Sequence, residues 1–97
     1  MTGERTGEKW NWLRELAPDA LLFDGPVGYA FDKAIIGVAT RIGMQPVVAY
    51  DDELLIKALV DEDWEWTDAV EWVEINTKGS YLGEGTPIII HKWENNE

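Results

Sequence analysis

The sequence predicts an α/β fold, a small three-stranded sheet packed with about three to four helices, and three observations carry that expectation. Short apolar or β-branched runs stand at "ALLF", "PVVAY" and "PIIIH". Apolar residues between them recur at helical spacing, and Gly or Pro marks most junctions. A chain of 97 residues that is 45% hydrophobic and holds six tryptophans has enough apolar material for one core, and too much for intrinsic disorder.

Residues 1–8 are polar and glycine-punctuated and read as a flexible tail, 9–92 as a single globular domain, and 93–97 as a second polar tail. In "KWNWLRELA" one short helix puts Trp10, Leu13 and Ala17 on a common side and ends before Pro18. Ala20 to Phe23 reads as a buried strand closed by a turn at Asp24, Gly25 and Pro26. Phe31, Ala34, Ile35, Val38 and Ile42 then fall at helical spacing, with Asp32 near the start and Gly43 suited to the end, so a helix is expected there. Pro46 to Tyr50 follows as a strand, and Asp51 caps a helix that runs to about Asp61 and buries Leu55, Ala58 and Leu59. Thr67 is the expected cap of the next helix, with Ala69, Val70 and Val73 as its inner stripe, Trp72 partly buried and Gly79 at its end. Trp64 and Trp66 are placed in the connection between the two helices. Gly83 and Gly85 turn the chain into a last strand, Pro87 to His91, with Pro at its tolerated first position. The first two strands, separated by a helix, are expected to lie parallel with a right-handed crossover.

Nineteen acids against eight bases give a net charge of −11, which repels phosphate backbones and anionic membranes and attracts basic surfaces. Direct nucleic-acid binding is therefore disfavoured. No apolar run reaches the length of about 18 residues that spans a membrane, and "MTGERTGEKW" lacks a secretory h-region, so a cytoplasmic location is expected. With no Cys there is no disulfide, thiolate nucleophile or cysteine-ligated zinc. His91 is the sole histidine and Ser80 the sole serine, and their spacing supports no catalytic triad. "GEG" lacks the lysine and the following helix of a phosphate loop. Asp61, Asp63 and Glu65 match positions 1, 3 and 5 of a calcium loop, but Trp66 replaces the Gly at position 6 and Trp72 the Glu at position 12. No catalytic residue, metal ligand or cofactor is assigned on these grounds.

"LLFDG", "DKAIIGVATRIGMQPVVAYD" and "DAVEWVEINTKGSYLGEGTPIII" resemble, in content and order, a set of small, mostly uncharacterised proteins of tailed bacteriophages, with the pattern DG, AIIG, VxYD and GExTP. The resemblance covers about Leu21 to Ile90 and departs from the pattern in the inserted "PVGYA" at 26–30. It implies work inside an infected bacterial host and carries no mechanism of its own. Asp24 and Asp51, at the ends of expected strands, stand where α/β folds often place ligand groups, and also where a turn and a helix cap need them.

"DEDWEWTDAVEWVE", residues 61–74, holds seven carboxylates, three tryptophans and no Lys or Arg. Like charges at helical spacing, such as Asp61 with Glu65 and Asp68 with Glu71, repel by about a few tenths of a kcal/mol each. A solvated face, or adaptation to high salt, accounts for the acids and leaves the indoles unexplained. A binding surface accounts for both, with Asp61, Glu62, Asp63, Glu65, Asp68 and Glu71 as electrostatic attractors and Trp64 and Trp66 as outward apolar anchors. As a helix the 14 residues would span about 21 Å at roughly 1.5 Å each. A duplex of that length carries about 12 charges at one per ~1.7 Å. Seven acids make a thin DNA mimic and a better competitor for a basic surface.

The expected function is thus capture of a basic host protein, a nucleic-acid enzyme of restriction or CRISPR defence, which is inhibited or redirected. The alternatives are an accessory domain that self-associates through exposed tryptophans, giving a homo-oligomer, and a carboxylate-dependent metal enzyme.

Overall fold

A computed structural model describes residues 5–23, 26, 28–78 and 83–93. At its centre the β-branched run forms β2 (Met44–Asp51), hydrogen-bonded to β1 (Ile35–Arg41) on one side and β3 (Ile88–Ile90) on the other. Around this three-stranded mixed sheet stand α1 (Glu8–Leu16), a 3-10 helix (Tyr29–Ala34), α2 (Asp52–Val60) and α3 (Trp66–Val73), the last prolonged by a π-helical turn (Glu74–Lys78). The α/β class with three strands is as the sequence predicts.

The topology differs from expectation in three places. First, Phe31 to Ile42 is not one helix. It is the 3-10 helix followed directly by β1, and the apolar spacing that suggested an α-helix has two separate causes. Phe31 and Ala34, both buried, share a side because a 3-10 helix repeats every three residues. Ile35 and Val38 share a face because a register shift between Ile35 and Gly37 inserts one residue, so that Ile35 pairs with Tyr50 and Val38 with Val48. A bulged strand has imitated helical periodicity. Gly43 does not cap a helix; it takes φ +81 in the two-residue connection between β1 and β2, a sign that glycine adopts without strain.

Second, Ala20 to Phe23 is not a strand. Its backbone is tied individually, Leu21 N donating to Gly85 O at 3.0 Å and buried Phe23 N to the Tyr50 hydroxyl at 3.1 Å, with the Phe23 and Tyr50 rings 4.9 Å apart. The turn expected at Asp24 and Gly25 lies outside the described residues. Third, the parallel partner of β2 is not the Ala20–Phe23 segment but β3, with Tyr50 opposite Ile89, while β1, expected as helix, pairs with β2 as an antiparallel hairpin. The helical crossover therefore consists of α2 and α3.

Of the two, α2 forms for the local reason anticipated, whereas α3 keeps its expected apolar stripe but not its expected cap. Asp51 caps α2, its carboxylate accepting from Leu54 N at 3.0 Å, and Leu55, Ala58 and Leu59 face the core. Full burial of Leu55 and Leu59 is worth about 1.5–3 kcal/mol each. In α3, Ala69 and Val73 are buried and Val70 half-buried, while Thr77 Oγ1 donates to Val73 O at 2.6 Å, a further partner for a carbonyl of the last α-helical turn. The helix end expected at Gly79 lies outside the described residues. At the other end of the chain Arg5 pairs with Asp32 through two nitrogens, at 2.9 and 3.2 Å, holding the segment before α1 against the 3-10 helix.

Candidate functional site

The acidic tryptophan stretch is shaped by how α2 stops. Trp64 N donates to Leu59 O at 3.1 Å and Asp63 N to Val60 O at 3.0 Å, the paired bonds of a Schellman motif, with Asp63 in the left-handed region at φ 74. Glycine is the usual residue there, and Asp is among the few others that tolerate it. This motif favours contact between the residue after the left-handed one and the last helical turn, and Trp64 accordingly packs half-buried against the core. Asp61, Glu62 and Asp63 remain exposed around the turn.

The next helix starts two residues earlier than an N-cap at Thr67 implies. Ala69 N closes the first turn on Glu65 O at 2.9 Å, which makes Glu65 the N-cap and leaves the Thr67 side chain within the first turn. Trp66 is consequently the first residue of α3 rather than part of a connection, and it is 56% exposed. Of the two indoles expected to point outward, Trp66 does so and Trp64 leans inward. Asp61 and Glu65 also belong to no common helix, so the helical repulsion rule applies to Asp68 and Glu71 in α3 and not to them.

On the outer side of α3 a groove of about 260 Å³ is lined by Trp64, Asp68, Glu71, Trp72, Ile75 and Asn76. Positions 68, 71, 72 and 75 fall on one helical stripe, continued toward the turn by Trp64. The Trp72 ring is held from behind by buried Phe31, centroids 5.6 Å apart, and the Trp72 carbonyl accepts from Asn76 Nδ2 at 3.0 Å. The structure thus gathers Trp64, Asp68 and Glu71 with Trp72, Ile75 and Asn76, which sequence reasoning had not named for binding, and leaves Trp66 outside the groove. The signal for Trp72 was its i+4 spacing from Asp68, one turn on the same face. No Lys or Arg occurs between Lys57 and Lys78, and Lys57 pairs with Asp61, at 3.3 Å between exposed groups, a contact of little energetic weight.

Two other regions compare with this one. At the C-terminal ends of the parallel strands, Asp51 is 1% exposed and its carboxylate lies 2.9 Å from Lys92 Nζ, while His91 Nδ1 lies 3.6 Å from Asp52. Burial alone would raise the Asp51 pKa, but the Lys92 ammonium and the backbone N–H groups of Leu54 and Glu53 outweigh it and hold the carboxyl below its ordinary value. Asp51 serves there as a cap and ion-pair partner. A second cavity, about 400 Å³, lies by the β1–β2 hairpin between Arg41, Met44, Gln45 and Val47 and residues 83–87; its lining carries one charge of each sign, Arg41 and Glu84. Among the described residues no group of three or more His, Asp or Glu side chains is placed to hold a metal ion, and no helix is long and apolar enough to cross a membrane. No protein-family model, curated protein or solved structure matches the chain.

Proposed function

We propose that this protein is a non-catalytic binding protein that captures a partner through a basic, nucleic-acid-binding surface and inhibits or redirects it. The observation that supports this reading is that Asp61, Glu62, Asp63, Glu65, Asp68 and Glu71 are all exposed over the α2–α3 turn and α3, in the same short stretch as the exposed Trp66. Of these carboxylates only Asp61 has a cation within ion-pair distance among the described residues, the exposed Lys57, and the excess negative field extends into solution, where it draws a cationic surface at long range. A large exposed indole then supplies apolar contact once the surfaces meet. The sequence resemblance to tailed-phage proteins favours a host nucleic-acid enzyme, of the restriction or CRISPR type, as the basic partner.

The test is retention of partners from a bacterial lysate on the immobilised full chain. The wild type is expected to hold basic proteins at low salt and release them at high salt. The variant Asp61→Lys/Glu62→Lys/Asp63→Lys is expected to hold none while its circular dichroism is unchanged. Equal capture by wild type and variant would refute the reading. A second reading, self-association, is favoured by Trp12 and Trp93, which are also exposed. Sedimentation separates the two, since an apolar oligomer persists in high salt whereas charge-driven capture weakens.

A further inference from the structure

We infer that the groove on α3 receives an arginine side chain of the partner, an inference that rests on the reading of the acidic face as a binding surface. The groove offers two indoles, two carboxylates and the exposed apolar side chain of Ile75, with no cation among its lining residues. Its volume of about 260 Å³ falls below the ~300–1,000 Å³ of small-molecule sites, which suits one long side chain rather than a cofactor.

The chemistry selects arginine over lysine. A guanidinium is planar and weakly hydrated, stacks on aromatic faces, and presents a fork of N–H donors to carboxylates, whereas an ammonium is a compact, strongly hydrated point charge. The same molecule shows this recognition internally: the Arg5 guanidinium lies 4.4 Å from the Tyr29 ring centroid and 5.4 Å from that of Trp10 while pairing with Asp32 at 2.9 Å. Two rings and a carboxylate enclose that arginine. Trp64 and Trp72 with Asp68 and Glu71 repeat the combination, with both indoles held against the core and therefore preordered.

The full chain, 15N-labelled at tryptophan, is titrated with octa-arginine and octa-lysine while the indole N–H resonances are followed. Saturable shifts are expected at Trp64 and Trp72, with Trp12 and Trp93 unmoved, and the arginine peptide should bind about fivefold tighter than the lysine peptide. The double variant Asp68→Asn/Glu71→Gln keeps the groove's shape and should lose the shifts at Trp64 and Trp72 with its melting temperature preserved. Three results would overturn the inference. Equal affinities with shifts centred on Trp66 leave the acidic face as a binder and remove the groove. An unchanged titration of the double variant likewise removes it, pointing to an apolar occupant. Silence of every indole with both peptides overturns groove and face together.

Discussion

Asp51 joins three tasks in one side chain: it ends β2, caps α2 through Leu54 N and pairs with Lys92 beyond β3. Its cap was legible in "YDDE", because a short acidic side chain before a run of helix formers has few other uses. Its pairing with Lys92 was not, since that contact exists only once β3 lies beside β2. With the folded pKa held below its ordinary value of 3.8, the carboxylate contributes stability that is fully present above about pH 4 and is lost as pH falls through the depressed value. Asp51→Asn retains an N-cap acceptor and removes the charge. It should cost about 1–2 kcal/mol at pH 7, discounted because Lys92 is half in water. In urea denaturation at pH 7 and pH 3 the gap between wild type and variant should narrow at the lower pH, and a gap that stays constant would remove the ion pair from the explanation.

Elements bounded by strong local chemistry, α1, β2 and α2, were readable from the sequence; those set by irregular pairing were not. β1 was misread because its bulge puts Ile35 and Val38 on one face, a spacing that periodicity alone cannot distinguish from a helix. Pro46 also lies inside β2 rather than at its start, opposite the register shift between Ala39 and Arg41, where the ladder demands least of its missing N–H. The α2–α3 turn hides its logic in the same way. Nothing in "VDEDWEW" announces that Asp63 takes the left-handed conformation, yet this decides that Trp64 turns inward and Trp66 outward. Asp63→Gly should therefore raise stability by about 0.5–1 kcal/mol, the relief of left-handed strain exceeding glycine's entropic cost. Chemical denaturation reads this directly; a fall in stability would show that Asp63 makes a stabilising contact beyond its backbone geometry.

Over the whole molecule, composition foretold the class and the surface more surely than the topology. A net charge of −11 is independent of how strands connect, and burial of apolar groups required some layered α/β arrangement whichever strands paired. The grouping of Trp64 with Trp72 was beyond reach because it depends on the turn between two helices. The charge has a kinetic consequence: association with a basic partner should slow by about tenfold or more between 10 and 150 mM salt, with the dissociation rate much less affected. Stopped-flow mixing measures both, and a salt-insensitive association rate would mean that long-range attraction plays no part in encounter. The parallel pairing of β2 and β3 adds a mechanical corollary. Because α2 and α3 lie in the connection between neighbouring hydrogen-bonded strands, that helical pair is tethered at both ends to one sheet, and a load on α3 is passed to β2 and β3 together.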